Sequence, residues 1–206
     1  MVISYLEYSD MKGFIKRLLR EGLINENEVK TYESKNEFYS DNNINPDNLS
    51  YLGTGDFGEA YSIGDGRVLK KTSSHKEFEI ATELVGRNVS GLANIYSVGI
   101  VKLYNYPATY YIVLEELEED NSIEDMWYEM SNILDEQGFD ISTLHYIDSE
   151  ELGLEEDMVS FISDIEDIYR VCRNNGIVNP DIRPENLGRD EHGNIKLFDI
   201  DDKNRR

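Results

Sequence analysis

Hydrophobic residues recur at helical spacing in two parts of the chain. The first part lies within residues 1–47 and mixes apolar with basic positions: Phe14, Ile15, Leu18, Leu19, Leu23, Lys16, Arg17 and Arg20. The second covers residues 158–175 and ends before Gly176, with one apolar face: Met158, Phe161, Ile162, Ile165, Ile168, Tyr169 and Cys172. We therefore predict a helical N-terminal extension over 1–47 and a packed helix over 158–175.

Runs rich in β-branched and aromatic residues occupy the middle of the chain. Two of them flank Gly64-Asp65-Gly66 within residues 50–72, which indicates a β-hairpin. Residues 94–104 and 109–114 are also β-prone, residues 76–86 are helical in pattern, and residues 195–198 predict a final strand. The polar segment 33–49 predicts a loop, and residues 118–157 predict helical pieces joined by loops. We expect an α+β fold in which an antiparallel sheet with one helix precedes a mainly helical part.

Composition and charge narrow the function classes. The 206 residues are 39% hydrophobic, which suffices for a folded core, and their formal net charge is −22. Such a charge repels phosphates, so we expect no direct binding to nucleic acid or to an anionic membrane. The sequence shows no membrane span and no signal-peptide pattern, and its single cysteine excludes an internal disulfide. These features favour a cytoplasmic protein, in the host cell if the compact sequence is viral.

Three glycines form the first candidate binding element. Gly53, Gly55 and Gly58 have the spacing G-x-G-x-x-G, which lets backbone amides approach phosphates closely. A dinucleotide-binding fold would need a helix directly after the glycines. A strand and a hairpin are predicted there instead, so we expect a glycine-rich flap between two antiparallel strands. A glycine-rich hairpin without a ligand is the structural alternative.

A lysine and a glutamate follow the glycines. Lys70 shares a strand face with the apolar residue two positions earlier, so we expect Lys70 at the site and the adjacent Lys71 in solvent. Among the glutamates of the next helix, Glu77 has apolar residues three, four and seven positions on: Ile80, Ala81 and Leu84. This spacing favours Glu77 over Glu79 and Glu83 as the partner of the lysine.

The most specific motif is Asn179-Pro180-Asp181-Ile182-Arg183-Pro184-Glu185-Asn186. Asp181 and Asn186 could place a base and a metal ligand on one loop, and Arg183 adds positive charge for a phosphoryl group. Asp199 ends the last predicted strand, and carboxylates are hard oxygen ligands that suit Mg²⁺. Each feature by itself could also be an ordinary polar turn.

The order of these features over residues 50–202 resembles the protein kinase-like superfamily. The resemblance implies a bilobal fold, with an N-lobe at 48–117 that carries the sheet and a truncated, mainly helical C-lobe at 118–206. It also implies ATP and Mg²⁺ as cofactors. In that family the glycine loop covers the ATP phosphates, the lysine contacts them, and the glutamate positions the lysine.

The resemblance carries these roles to particular residues. Phosphate binding falls to the glycine loop and the ion pair: Gly53, Gly55, Gly58, Lys70 and Glu77. Orientation of the acceptor hydroxyl falls to Asp181, and Mg²⁺ binding falls to Asn186 and Asp199. The stretch 111–117 resembles the strand and hinge that bind adenine, with a gatekeeper followed by backbone contacts: Leu114, Glu115 and Leu117.

The sequence departs from the family pattern at three points. Asn179-Pro180 stands where His-Arg usually precedes the catalytic Asp, which implies that no phosphorylated-loop switch operates. Asp199-Ile200-Asp201 replaces Asp-Phe-Gly and resembles the aminoglycoside and choline kinase branch. The sequence ends at Arg206 without an activation segment. The resemblance therefore implies a minimal kinase, a shortened chain, or a kinase whose substrate-recognising part comes from another molecule.

Three functions follow from these expectations. The leading one is an ATP- and Mg²⁺-dependent phosphotransferase that transfers the γ-phosphate to Ser or Thr hydroxyls of a protein substrate or to itself. The alternative is a pseudokinase-like ATP-binding protein whose acidic surface binds a basic partner protein. The third is a small-molecule kinase of the aminoglycoside or choline type.

Overall fold

The structure, a computed structural model, describes residues 29–102, 107–138 and 154–200. They form two compact units. The first comprises the described residues up to Arg87 together with Asn94–Glu115, and the second comprises Asn88–Ala93 together with those from Glu116 onward. The described chain is mixed α and β, in agreement with the predicted class. Within these residues, no helix is both long and apolar enough to cross a bilayer.

The first unit is built on a six-stranded sheet with the order β1-β5-β6-β4-β3-β2. The strands are β1 Val29–Tyr32, β2 Ser50–Thr54, β3 Gly58–Ser62, β4 Arg67–Thr72, β5 Ile95–Val101 and β6 Thr109–Glu115. Helix α1 covers Lys35–Asp41, and helix α2 covers His75–Leu84. The expected hairpin joins β3 to β4, where Gly64 and Gly66 supply the positive φ angles of the turn.

Side chains of β6 alternate between the two faces of the sheet, and each face is covered by a helix. Tyr110 stacks on Phe78 of α2, with 4.6 Å between the ring centroids. Tyr111 points to the other face, where it meets Phe38 of α1 edge to face at 5.0 Å. Strand β6 is therefore buried on both sides, which explains its nearly continuous apolar run.

Residues 29–47 differ from the predicted helical extension and polar loop. Val29–Tyr32 form a strand that pairs parallel with β5, so the sheet is mixed and not purely antiparallel. Helix α1 begins after Ser34, whose Oγ accepts the N–H of Glu37, and it buries Phe38 completely. The loop prediction is wrong here because tertiary packing, not local periodicity, stabilises this short helix. The basic apolar stretch at 14–23 lies outside the described residues.

The second unit contains two longer helices and a small hairpin. Helix α3 covers Asn121–Gln137, helix α4 covers Glu156–Asn174, and the hairpin pairs β7 Leu187–Arg189 with β8 Ile195–Leu197. The face of α4 predicted to be apolar is buried, except for the half-buried Tyr169: Met158, Phe161, Ile162, Ile165, Ile168 and Cys172. Burial raises the pKa of the Cys172 thiol to about 12, which agrees with an unreactive core cysteine.

Asp120 joins the start of α3 to the β7–β8 hairpin. Its side chain accepts the N–H of Ser122 as an N-cap and lies 2.5 Å from Nε of Arg189 in an ion pair. The hydrogen bond from Arg189 is the main reason why the pKa of Asp120 falls from 3.8 to about 2. This carboxylate therefore stabilises the second unit in its charged form.

We expect the second unit to lose less stability in acid in Asp120→Asn than in wild type. The folded-state pKa lies below the unfolded one, so the contribution is complete above about pH 4 and is lost as the pH falls through about 2. The difference in unfolding free energy between wild type and Asp120→Asn should thus shrink between pH 4 and pH 2 in urea titrations. Glu119→Gln, at an exposed neighbour, is the control. A difference that stays constant over this range would contradict the assignment.

Candidate functional site

The predicted site residues fall into two sets, one in each unit. The set in the first unit comprises Gly53, Gly55, Gly58, Lys70, Glu77, Leu114 and Glu115. The set in the second unit comprises Leu117, Asp181, Arg183, Asn186 and Asp199.

The glycines form a hairpin between two antiparallel strands. Gly53 lies in β2, Gly55 in the turn and Gly58 at the start of β3, so a strand and not a helix follows them. The tip is closed by two donors to the carbonyl of Gly58, namely the N–H of Gly55 at 2.9 Å and the hydroxyl of Thr54 at 3.0 Å. The geometry is that of the expected flap, with the side chain of Phe57 half exposed at the tip.

The structural reason for a glycine differs among the three positions. A Cβ on Gly58 would lie 1.8 Å from the carbonyl oxygen of Lys71, so close strand packing excludes any side chain there. Gly53 follows an irregularity in the pairing of β2 with β3, which is a common place for glycine. Gly55 has neither reason, because its φ is not positive and nothing lies within 4 Å of an added Cβ. The ligand-free alternative thus accounts for Gly58 but not for Gly55.

Lys70 and Glu77 form an ion pair between Nζ and Oε1. The Glu77 side chain is 3% exposed and the Lys70 side chain 21% exposed, so the carboxylate is almost fully buried. Ser74 caps α2 by accepting the N–H of Glu77 at 3.2 Å, which places Glu77 in the first turn and facing β4. The structure therefore brings together the two residues selected from strand and helix spacing.

Lys71 does not lie in solvent, and this expectation is wrong. Its Nζ lies 4.1 Å from the ring centroid of Tyr61 and 3.7 Å from Glu59, and its side chain is only 23% exposed. Desolvation by burial is the main reason why the pKa of Lys71 falls below its usual value. Glu79 is half-buried on α2, where it pairs with His75 at 3.3 Å.

The end of β6 is held by a pair of hydrogen bonds. The N–H of Glu115 donates to the carbonyl of Asn94 at 2.9 Å, and its side chain accepts the N–H of Asn94 at 3.0 Å. Leu114, the predicted gatekeeper, is buried. In the second unit Leu117 packs closely on Gly188, where an added Cβ would lie 2.7 Å from that of the leucine.

Hydrogen bonds link the Asp181 loop to the end of β8. The buried Asn186 donates its side-chain Nδ2 to the carbonyl of Asp181 at 2.8 Å. Its own carbonyl accepts the N–H of Phe198 at 3.1 Å, and Phe198 directly precedes Asp199. Arg183 is half exposed, and its Nε lies 3.4 Å from Oδ1 of Asp181. The structure thus gathers Asp181, Asn186 and the backbone before Asp199 in one place.

The donor set at this place suits a hard cation. Because the Asn186 Nδ2 points to the Asp181 carbonyl, its Oδ1 points away from that carbonyl. This oxygen and the Asp199 carboxylate are ligand types that Mg²⁺ prefers, and a Mg²⁺ that also binds phosphates and water needs only one or two protein ligands. The described residues contain no cluster of three or more His, Cys, Asp or Glu side chains for a metal. Asp201 lies outside the described residues.

Two hydroxyl groups at the glycine hairpin were not selected from the sequence. Thr54 donates to the carbonyl of Gly58, and Ser73 donates to the carbonyl of Phe57 at 2.9 Å. The only sequence signal for Ser73 is its place in the run Thr72-Ser73-Ser74, directly after the strand that carries Lys70.

We expect Glu77→Gln to lower the unfolding free energy by about 2–4 kcal/mol, because the largely buried Lys70 ammonium would lose its charged partner. The matched control Glu79→Gln weakens ion pairs with the more exposed His75 and Lys76 and should cost less than about 1 kcal/mol. Urea unfolding at neutral pH measures both values. Equal losses in the two variants would show that the Lys70–Glu77 pair has no special structural role.

Comparison of the chain with models of known protein families gives no match, and comparison with curated proteins gives no significant one.

Proposed function

We propose that the protein is an ATP- and Mg²⁺-dependent phosphotransferase resembling a minimal protein kinase, which transfers the γ-phosphate to Ser or Thr hydroxyls or to itself. The observation that carries the proposal is the buried Lys70–Glu77 pair beside the glycine hairpin. Lys70 lies opposite Ala60 of β3 in the sheet register, two residues beyond Gly58. The Lys70 cation on β4 therefore lies beside β3, the strand that begins with Gly58 of the glycine hairpin.

This arrangement suits a polyphosphate. A lysine ammonium has three donors, so Lys70 can keep Glu77 as a partner and still donate to phosphate oxygens. Gly55 offers close backbone approach because no atom lies within 4 Å of the position of its missing Cβ. Glu77 holds the ammonium in place before the ligand arrives, which reduces the reorganisation needed on binding.

The second set of residues supplies the groups for transfer. The Asp181 carboxylate would take the proton of the acceptor hydroxyl as its oxygen attacks the γ-phosphorus and the bond to the β–γ bridging oxygen breaks, which releases ADP. Arg183 would stabilise negative charge on the transferred group. Asn186 and Asp199 would hold Mg²⁺, which neutralises phosphate charge when bound.

The net charge of −22 favours one competing function, an ATP-binding protein that uses its acidic surface to bind a basic partner. Binding of this kind depends on long-range electrostatic attraction and weakens steeply with salt. It requires nucleotide binding but no transfer, so the same assay separates it from the phosphotransferase.

We expect Gly55→Ala to weaken Mg-ATP binding roughly tenfold, since a methyl group would hold the phosphates away from the backbone. The unfolding free energy should change little because the space around Gly55 is open. Isothermal titration with Mg-ATP and urea unfolding measure the two effects. Asp65→Ala, in the neighbouring β3–β4 turn, is the control for binding. Unchanged affinity in Gly55→Ala would contradict phosphate binding at the hairpin.

Transfer of labelled γ-phosphate from Mg-ATP tests the proposed function directly. The acceptors are the protein itself and a cell extract, and the variants are Asp181→Asn and the matched control Glu185→Gln, an exposed carboxylate on the same loop. We expect labelling with wild type and Glu185→Gln, and a loss of at least about a hundredfold with Asp181→Asn, whose ATP binding persists.

Two other outcomes would contradict different parts of the proposal. ATP binding without labelling by any variant would reject the phosphotransferase and favour the interaction protein. Full labelling by Asp181→Asn would exclude Asp181 as the base.

A further inference from the structure

Three consecutive hydroxyl residues, Thr72-Ser73-Ser74, connect β4 to α2. The Thr72 hydroxyl oxygen accepts the N–H of Ser74 at 3.0 Å, and the Ser74 oxygen accepts the N–H of Glu77 at 3.2 Å. These two hydroxyls shape the start of the helix. The Ser73 hydroxyl instead donates to the carbonyl of Phe57, at the tip of the glycine hairpin.

Ser73 holds the hairpin tip with two hydrogen bonds to the same oxygen. Its N–H donates to the Phe57 carbonyl at 2.8 Å, which extends the pairing of β3 with β4 by one residue. Any residue except proline could make this backbone bond. The second bond, from Oγ at 2.9 Å, requires a hydroxyl at this position. The side-chain bond is therefore an addition to the strand pairing and not part of it.

The bond from the Ser73 hydroxyl to the Phe57 carbonyl connects two parts of the candidate site. Ser73 lies three residues after Lys70 and four before Glu77, on the segment that joins the two partners of the ion pair. The Phe57 carbonyl lies between Gly55 and Gly58 in the hairpin. A bond between them ties the glycine backbone to the element that fixes the Lys70 ammonium.

We propose that Ser73 is a positioning residue for phosphate binding: its hydroxyl fixes the tip of the glycine hairpin relative to Lys70. The inference rests on the proposed function. Ser73 itself touches no phosphate and acts through the Phe57 carbonyl. A site whose donors are fixed before the ligand binds loses less conformational freedom on binding, so the bond raises nucleotide affinity.

Amide hydrogen exchange of Gly55 in the nucleotide-free protein tests the bond itself. Gly55 is a suitable reporter because its N–H is protected by the Gly58 carbonyl at the hairpin tip. Loss of one hydrogen bond in Ser73→Ala should speed its exchange by about three- to tenfold. Ser73→Thr keeps the hydroxyl and should restore the wild-type rate. Ser74→Ala removes the helix cap at the adjacent hydroxyl and keeps the Ser73 bond to Phe57, so it controls for a general loss of stability.

Titration with Mg-ATP tests the role in binding. We expect the dissociation constant to rise about three- to tenfold in Ser73→Ala and to return to the wild-type value in Ser73→Thr. In the phosphotransfer assay, KM for ATP should rise by a similar factor while kcat changes little, a separation that general destabilisation does not produce.

Each result decides the proposal. Faster Gly55 exchange together with weaker Mg-ATP binding, both rescued by Ser73→Thr, supports it. Unchanged exchange, or faster exchange with unchanged affinity, overturns it. If wild type binds no Mg-ATP, both the proposed function and the role of Ser73 in phosphate binding fail. The exchange experiment without nucleotide still shows whether the Ser73 bond holds the hairpin. Failure of the proposed function is therefore distinguishable from failure of the Ser73 bond.

Discussion

The buried ion pair between Lys70 and Glu77 is the interaction on which the first unit depends. The Glu77 side chain is only 3% exposed. A carboxylate buried to this extent would be strongly destabilising without a partner. The requirement for this partner fixes the first turn of α2 against β4. The Ser74 cap and the Thr72 hydroxyl then bring the chain from strand to helix within two residues. Through Ser73, the same connection reaches the tip of the glycine hairpin.

The sheet can hold this pair because β6, which pairs with β4, is covered on both faces. Tyr110 and Tyr111 are adjacent in sequence, yet one stacks on α2 and the other meets α1. The face of α1 forms its own cluster of buried side chains, which include Tyr32, Tyr39 and Leu69. A strand with apolar contacts on both sides is held rigidly, so the Lys70 ammonium has a defined position.

Local spacing was sufficient to predict several elements. The β3–β4 hairpin followed from its glycines, the buried face of α4 from its helical period, and the choice of Glu77 over Glu79 from the apolar residues that follow it. Strand β1 could not be predicted in this way, because its partner β5 lies about seventy residues away and parallel pairing leaves no local pattern. Helix α1 has only two buried residues, Phe38 and Tyr39, and they are adjacent and show no period.

The error at Lys71 has the same origin. Strand alternation correctly places Lys71 on the face opposite Lys70, but the sequence did not show that α1 and Tyr61 cover that face. The role of Ser73 was missed because a hydroxyl in a polar turn has no distinctive sequence pattern. Its importance depends on the distance to the Phe57 carbonyl, which only the folded hairpin defines.

A structure of the protein with Mg²⁺ and a non-hydrolysable ATP analogue would show whether the glycine hairpin and Lys70 bind phosphates. We expect phosphates against the Gly53–Gly58 backbone, at least one phosphate oxygen within hydrogen-bond distance of the Lys70 ammonium, and the Lys70–Glu77 pair retained. A nucleotide bound elsewhere, or phosphates that do not contact Lys70, would contradict this expectation.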